Sequence, residues 1–151
     1  MPTPPETPPS PPARKVLFLC TGNAARSQMA EGLGRRLFPA EWEVWSAGTH
    51  PSRVHPFALE AMDEVGIDIR SQRSKHVDEV PGPVDLVITL CASAAAECPT
   101  FPGARRVLHW NLDDPVSTPG GDAARRAAFR AVRSEIETRL HRLLKDRTAL
   151  A

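Results

Sequence analysis

The sequence lacks the long hydrophobic runs and the excess of one charge that mark membrane proteins and nucleic-acid-binding proteins. None of its apolar runs approaches the ~20 residues needed to cross a bilayer, and the N-terminal residues contain no apolar signal-peptide core. The formal net charge is +1, so no overall field draws the chain to nucleic acid or to a membrane surface. We therefore expect a soluble, cytoplasmic protein with no nucleic-acid or membrane partner.

Cysteine is also scarce, with Cys20, Cys91 and Cys98 as the three examples. An odd number argues against the disulfide framework of a small secreted protein. In a reducing cytosol, cysteines that form disulfides are usually transient, catalytic or sensing. Three buried and inert thiols are the alternative, because cysteine is among the most often buried residue types. The residues around each cysteine must decide between these interpretations.

No GxGxxG or Walker A motif is present, so the common nucleotide-binding folds lose their usual support. Instead, the chain alternates predicted strands with predicted amphipathic helices. Strands are predicted at 16–19, 42–47, 86–90 and 107–108, and helices at 27–38, 57–65 and 122–146. Such alternation implies βαβ units and a mostly parallel sheet, which is an α/β fold.

Proline is concentrated at the N-terminus. Residues 1–13 hold seven of the 16 prolines and no periodic apolar pattern, which predicts an extended or disordered tail. Residues 14–151 are then expected to form a single domain, long enough for one hydrophobic core. The arginine-rich face of the last predicted helix is interpreted as a solvated surface.

Residues 20–27 join the first predicted strand to the helix that follows it. Ligands of parallel α/β sheets bind at the carboxyl ends of strands, and a helix N-terminus there presents N–H groups to an anion. Gly22 could adopt the positive φ that a tight cradle needs, and the planar fork of Arg26 could grip two oxygens of a tetrahedral anion. The same groups would favour the thiolate form of Cys20. We therefore predict that Cys20 attacks a bound oxyanion.

Two polar side chains support this prediction. Ser27 could donate a hydrogen bond to the cysteine sulfur, and Asn23 could hold the loop rigid through bonds to backbone groups. A Cys-x5-Arg pattern alone is a weak signal, but a buried strand before it and an amphipathic helix after it favour a real site. The predicted oxyanion-binding loop comprises Thr21, Gly22, Asn23, Ala24, Ala25, Arg26 and Ser27.

Cys91 and Cys98 follow the second strongly apolar strand. If this strand pairs in parallel with the first, the two backbones lie ~4.8 Å apart, and Cys20 and Cys91 emerge at the same edge of the sheet. The alanine-rich stretch 92–97 favours a helix, which would separate Cys91 from Cys98 by ~10.5 Å. A disulfide allows Cα atoms only ~7 Å apart, so this bond would require the stretch to unwind. A zinc site is the alternative, although the usual short ligand spacing is missing.

The segment VLFLCTGNAARSQMAEG resembles the active-site loop of low-molecular-weight tyrosine phosphatases and of thioredoxin-coupled arsenate reductases. Within it, residues 28–32 resemble the reductase branch. The resemblance extends from residue 15 to about residue 145. Ala24 and Ala25 depart from the reductase pattern, in which serine and cysteine are frequent, but the nucleophile and the arginine are retained.

The resemblance implies a small four-stranded parallel sheet flanked by helices, and reduction of arsenate to arsenite for arsenic detoxification. Cys20 would attack arsenate, Cys91 would attack Cys20 and release arsenite, and Cys98 would attack Cys91. Thioredoxin would reduce the final disulfide. Phosphate or sulfate would compete as oxyanions, and no tightly bound cofactor is expected.

The resemblance also implies a general acid and a cation site. Asp114, immediately before Pro115, would protonate a departing oxygen, although Asp-Pro is also a common turn. Val116 follows where the phosphatases usually carry tyrosine, and the sequence contains no tyrosine. These two features count against a dedicated low-molecular-weight tyrosine phosphatase, which is the alternative function. Phosphatase activity is still expected at least as a side reaction. A non-catalytic protein that senses oxyanions or redox state is a further alternative. Some family members hold potassium behind the loop, and its ligands map onto Asn23, Glu31, Ser46 and Asp68.

Overall fold

The computed structural model describes residues 14–91 and 101–146. The strands are β1 (Arg14–Leu19), β2 (Trp42–Ala47), β3 (Val84–Thr89) and β4 (Ala104–His109). The α-helices are α1 (Arg26–Leu37), α2 (Pro56–Asp63) and α3 (Asp122–Lys145). The four predicted strands and the three predicted α-helices at 27–38, 57–65 and 122–146 are present, and β4 is longer than the predicted 107–108. The proline-rich residues 1–13 and Cys98 lie outside the described residues.

The four strands form one parallel sheet in the order β2–β1–β3–β4. β1 is central, with Leu19 opposite Ala47 of β2 on one side and opposite Thr89 of β3 on the other. The prediction that the first and third strands are parallel neighbours is therefore confirmed. The chain segments that follow β1 and β3 consequently begin at the same edge of the sheet.

β1 is apolar at successive positions because both faces of the sheet are covered. Val16 and Phe18 lie in a large core cluster with α1, α2 and α3, whereas Leu17 and Leu19 lie in a smaller cluster on the other face. All four side chains are fully buried. On α3, the side chains that are buried in the large cluster share one face of the helix: Phe129, Ile136, Leu140 and Leu143.

α2 ends at Asp63, two residues before the predicted end at residue 65, and a turn at Gly66 follows. Gly66 has φ of +76°, a conformation that costs glycine little because it has no Cβ, and Ile67 N donates to Met62 O at 3.0 Å. The turn returns the chain towards the sheet. None of the helices in the described residues is long and apolar enough to cross a membrane.

Candidate active site

The loop between β1 and α1 is bonded through its carbonyl groups to the segment that follows β2. The bonds run from His50 N to Thr21 O, from Ser52 N to Gly22 O and from His55 N to Ala24 O, at 2.9, 3.2 and 2.9 Å. In a trans peptide the N–H group points opposite to the carbonyl group. The N–H groups of the same three peptide units therefore point away from the segment that follows β2. On that side the loop lines a pocket. This is the cradle that an oxyanion requires.

The strained position of this loop is Asn23, with φ of +46°, and not Gly22. The prediction of a positive φ at Gly22 was therefore wrong. Asparagine visits this region more readily than most residues because its short side chain can bond locally. Here the side chain is fully buried, its Oδ1 accepts from Lys75 N at 2.9 Å, and Gln28 Nε2 donates to its carbonyl oxygen at 3.0 Å. These bonds hold the backbone in the required conformation.

The sulfur of Cys20 lies within hydrogen-bond distance of a serine hydroxyl. Cys20 Sγ is 2.8 Å from Ser27 Oγ, and Asn23 Nδ2 donates to the same Oγ at 2.8 Å. Because Oγ accepts from the amide, its own proton is available for a thiolate sulfur. Cys20 is only 2% exposed, so the bond acts in a site with little competing water. The arrangement suits a thiolate nucleophile.

Arg26, the first residue of α1, connects the loop to two neighbouring segments. Its Nη1 donates to Leu90 O at 3.1 Å and to Leu112 O at 2.9 Å. A guanidinium carries five N–H donors in a planar fork, so the group can bind an anion while Nη1 holds these carbonyls. Arg26 is 8% exposed, and the positive charge is therefore directed into the site and not into solvent.

Asp114 lies in the same pocket as the nucleophile. The pocket has a volume of about 180 Å³ and is lined by Cys20, Gly22, Ala24, Ala25, Arg26, Asp114 and Val116. Asp114 caps the short 3₁₀ helix Pro115–Ser117 by accepting from Val116 N at 3.0 Å. This cap holds the carboxylate at the edge of the pocket. A volume of this size accommodates a five-atom oxyanion, since one water molecule occupies about 30 Å³ in the liquid.

The second cysteine emerges beside the first. Leu90 N donates to Leu19 O at 2.8 Å, so the pairing of β1 with β3 continues to the residues immediately before Cys20 and Cys91. Cys91 is 2% exposed. Cys98 lies outside the described residues, and so does the stretch 92–97 that was predicted to be helical.

Three of the four residues mapped to a potassium site lie together behind the loop. Asn23 Nδ2 donates to Ser46 Oγ at 2.9 Å, and Ser46 Oγ donates to Glu31 Oε1 at 2.6 Å. Asp68 lines a surface pocket together with Glu31 and Lys75, but its carboxylate is 69% exposed and pairs with Arg70 at 3.1 Å. Hydrogen bonds from Arg70 hold the pKa of Asp68 below its ordinary value. Among the described residues, no group of three or more histidine, cysteine, aspartate or glutamate side chains could hold a metal ion.

His55 borders the site from the start of α2. Its Nδ1 accepts from Phe57 N at 3.0 Å as the helix N-cap, and its ring lies 4.9 Å from that of Phe129. Burial lowers the pKa of His55, an effect opposed by the negative charge of Asp114. His55 therefore supports the loop through its backbone N–H, which donates to Ala24 O, while its ring packs against Phe129.

A profile described as low molecular weight phosphotyrosine protein phosphatase matches residues 15–150. The chain belongs to this family. It is 48% identical over 126 residues to a protein of Halalkalibacterium halodurans named arsenate reductase, covering 83% of this chain and 91% of that protein.

Two solved structures are similar to this member of the phosphatase family. One is an arsenate reductase in the phosphate-binding state, with 36% identity and a TM-score of 0.74 over 87% of this chain and 97% of the other. Another is a thioredoxin-dependent arsenate reductase of Corynebacterium glutamicum, with 31% identity and a TM-score of 0.64. That match covers 89% of this chain and 61% of the other. The predicted family and its α/β fold are confirmed.

Sequence reasoning missed two residues of this phosphatase-family site. Gly48 directly follows β2, and a Cβ there would overlap Thr21 O and lie 2.7 Å from Cys20 O. Lys75 was not predicted as a site residue, because no motif contains it. Its ammonium lies 3.4 Å from Glu31 Oε1. A glycine directly after a strand that neighbours the site strand was the available signal for Gly48. Nothing local in the sequence pointed to Lys75.

Proposed function

We propose that this chain is an arsenate reductase that works through three thiols and is returned to its reduced form by thioredoxin. The observation that carries the proposal is the position of Cys20 and Cys91, both buried, the first directly after β1 and the second separated by Leu90 from the end of the neighbouring strand β3. A phosphatase needs the first thiol and has no use for the second. The relative from Halalkalibacterium halodurans, named arsenate reductase, supports the same activity.

In the first step the Cys20 thiolate attacks the arsenic of a bound arsenate. A sulfur–arsenic bond forms, one arsenic–oxygen bond breaks, and arsenic remains As(V). The loop N–H groups and Arg26 bind the remaining oxygens, where negative charge develops. Asp114 donates a proton to the departing oxygen, which leaves as water.

In the second step the Cys91 thiolate attacks the sulfur of Cys20. The new bond is the Cys20–Cys91 disulfide, and the electron pair of the sulfur–arsenic bond goes to arsenic, which leaves as As(III) arsenite. The two sulfurs together lose two electrons. Parallel neighbouring strands place the two backbones ~4.8 Å apart, within the Cα separation that a disulfide requires.

In the third step the Cys98 thiolate attacks the sulfur of Cys91, and Cys20 departs as a thiolate ready for another cycle. The dithiol of thioredoxin then supplies the two electrons that reduce the Cys91–Cys98 bond. The thioredoxin-dependent reductase of Corynebacterium glutamicum supports this choice of reductant. A reducing compartment such as the cytoplasm would keep all three thiols in the required state.

Phosphate-ester hydrolysis is the second candidate function. It is favoured by the position of Asp114 beside Cys20, because the same acid could protonate the leaving alcohol of a phosphate ester. The loop itself does not distinguish phosphate from arsenate, since both are tetrahedral oxyanions of the same charge. We expect this reaction to be a weak side activity, because Val116 offers no aromatic ring for an aryl group to stack on.

Consumption of NADPH with arsenate, thioredoxin and thioredoxin reductase tests the proposal directly. The wild-type chain should turn over many times, whereas Cys91→Ser and Cys98→Ser should show no multiple turnover. After one addition of arsenate, peptide mapping of Cys98→Ser should find the Cys20–Cys91 disulfide. Hydrolysis of p-nitrophenyl phosphate is the control for an intact loop. Arsenate-dependent turnover in Cys91→Ser equal to wild type would contradict the relay.

A further inference from the structure

Glu31 is a buried carboxylate immediately behind the anion loop. Its side chain is 2% exposed, and its Oε1 accepts from Ser46 Oγ at 2.6 Å. On the solvent side, Arg35 donates to its Oε2 through both Nε and Nη2, each at 3.1 Å, from a side chain that is 59% exposed. A buried charge is costly unless it is paired and hydrogen-bonded. Because exposure weakens the Arg35 pair, a cation buried against Oε1 adds compensation that water does not screen.

That cation is the ammonium of Lys75. Its side chain is 8% exposed, and Nζ lies 3.4 Å from Glu31 Oε1 and 3.3 Å from Arg73 O. The backbone of Lys75 is held by the site as well, because its N–H donates to Asn23 Oδ1 at 2.9 Å and its carbonyl accepts from Gly48 N at 3.0 Å. A lysine side chain is normally exposed, so its burial here indicates a specific role.

A continuous set of hydrogen bonds joins this ion pair to the nucleophile. Ser46 donates to Glu31, one amide hydrogen of Asn23 goes to Ser46, and the other goes to Ser27, which lies 2.8 Å from Cys20 Sγ. The donor of each hydrogen bond is defined, because the Glu31 carboxylate can only accept. The carboxylate therefore orients the hydroxyl and amide groups along the whole series of bonds. We call these six residues the loop network: Cys20, Asn23, Ser27, Glu31, Ser46 and Lys75.

The residues mapped to a potassium site do not fit a potassium ion here. The oxygen ligands are already used, since Asn23 Oδ1 accepts from Lys75 N and Glu31 Oε1 accepts from Ser46 while contacting the ammonium. Asp68, the fourth mapped residue, pairs with Arg70 at the surface. A metal cation beside Glu31 would also be repelled by the ammonium at short range.

We propose that the Lys75 ammonium is the built-in monovalent cation of this site, so that the chain works without potassium. Lys75 is a positioning residue: it neutralises Glu31, which would otherwise disfavour both the Cys20 thiolate and a bound oxyanion, and it holds the carboxylate that orients the loop network. The effect on turnover rests on the proposed function, whereas the effects on stability and on thiol reactivity do not.

The test uses the full chain carrying Cys91→Ser and Cys98→Ser, in which Cys20 is the remaining thiol. In this background we would compare Lys75→Met, Glu31→Gln with Lys75→Met, and Lys15→Met. Lys15 is a matched control, because its Nζ also donates to a backbone carbonyl, Pro81 O at 2.8 Å, but far from the loop. The readouts are the melting temperature and the rate of Cys20 alkylation by iodoacetamide, each in potassium chloride and in choline chloride of equal ionic strength.

We expect the parent chain to give the same melting temperature and alkylation rate in both salts. In choline chloride, Lys75→Met should melt roughly 10 °C lower, because the buried Glu31 then keeps only the exposed Arg35 as a cationic partner, and Cys20 should react roughly tenfold more slowly. The double variant should recover most of both losses, because no uncompensated carboxylate remains. Lys15→Met should match the parent.

Two results would overturn the inference. One is a potassium-specific rise in the melting temperature or alkylation rate of the parent chain, which needs no variant to fold. The other is a Lys75→Met protein in which Cys20 reacts no differently from its rate in the Lys15→Met control, or a double variant that recovers none of the loss seen in Lys75→Met. Neither result depends on arsenate turnover, so failure of the inference and failure of the proposed function are distinguishable.

Discussion

The loop network and the interface between α2 and α3 both depend on charged side chains, but at very different depths. Three ion pairs join the helices, and we call them the helix ladder: Arg126–Glu60 at 2.9 Å, Arg130–Glu64 at 3.0 Å and Arg133–Glu64 at 3.2 Å. Both carboxylates of the ladder are at least 41% exposed. In the loop network, Glu31 and Lys75 are 2% and 8% exposed.

Depth decides what each set of charges contributes. Water and salt screen the helix ladder, and ordering long side chains offsets much of the gain, so exposed pairs contribute little to stability. In the loop network, a polar atom that loses its partner cannot turn to water instead, which costs ~1–3 kcal/mol. The number of ion pairs is therefore a poor guide to importance, and burial is a better one.

The largest effect should come from adding one methyl group at Gly48. Because a Cβ there would overlap Thr21 O, Gly48→Ala must displace the loop backbone, and we expect the unfolding free energy to fall by about 3 kcal/mol. Arsenate turnover should fall at least ~100-fold, since small displacements of positioned groups cost this much. Urea unfolding and the NADPH assay measure both.

Gly82→Ala is the matched control for this prediction, because a Cβ at Gly82 meets no atom within 4 Å. It should change stability by less than ~0.5 kcal/mol. If Gly48→Ala behaved like this control, the loop would be less rigid than its hydrogen bonds indicate.

A somewhat smaller effect should follow removal of the Asn23 side chain. Asn23→Ala deletes the buried bonds to Ser27, Ser46 and Lys75 and keeps a strained positive φ, so we expect a loss of about 2–3 kcal/mol. Asn23→Gly removes the same bonds without the strain and should recover about 1 kcal/mol of that loss. Asn111→Ala, at an exposed position, is the control for simple loss of an amide.

His55 connects the two regions, since its backbone binds Ala24 O and its ring caps α2. The pKa of His55 is lowered from 6.5 by burial, so the unfolded chain binds the proton more readily. The contribution to stability is therefore complete above about pH 6.5 and is lost as the pH falls through the lower pKa of the folded state. His55→Asn, which keeps an N-cap acceptor, should flatten this part of the pH profile of stability.

Chemical denaturation at several pH values between 5 and 8 would measure that slope. His141→Asn is the control, because His141 is half-exposed on α3. An unchanged slope in His55→Asn would mean that another group causes the acid sensitivity.

The smallest effects should come from the helix ladder. Arg126→Ala and Arg130→Ala should each lower the melting temperature by no more than about 2 °C at physiological salt, because these pairs are exposed. Hydrogen bonds from Arg130 and Arg133 hold the pKa of Glu64 below 4.5, so its contribution is present above that pH and is lost on further acidification. A fall in unfolding free energy of about 2–3 kcal/mol in either variant, as large as that expected for Asn23→Ala, would contradict the contrast between the two regions.

The parts of the molecule that sequence predicted well are those coded by local patterns. The apolar run 16–19 predicts a strand buried on both faces, and the Cys-to-Arg spacing of residues 20–26 predicts an anion loop. The family resemblance added Cys91, Cys98 and Asp114 as partners, and the fold brings Asp114 into the pocket of Cys20. The role of Cys98 stays a prediction, because it lies outside the described residues.

The parts that sequence predicted wrongly depend on contacts between distant segments. Gly22 was expected to carry the positive φ, but Asn23 carries it because Lys75 and Ser46, far along the chain, satisfy its side chain. Asp68 was mapped to the cation site, and that assignment stays a prediction; its carboxylate pairs with Arg70 at the surface. Neither outcome can be deduced from the spacing of residues along the loop.

Periodicity and short-range spacing encode the order of strands and helices and the predicted anion loop, so these features can be deduced from the chain alone. The surroundings behind that loop come from the fold. It brings Gly48 against the Thr21 carbonyl and buries the Lys75 ammonium against Glu31. The physical reason is that charge compensation depends on distance and on exclusion from water, and the fold sets both.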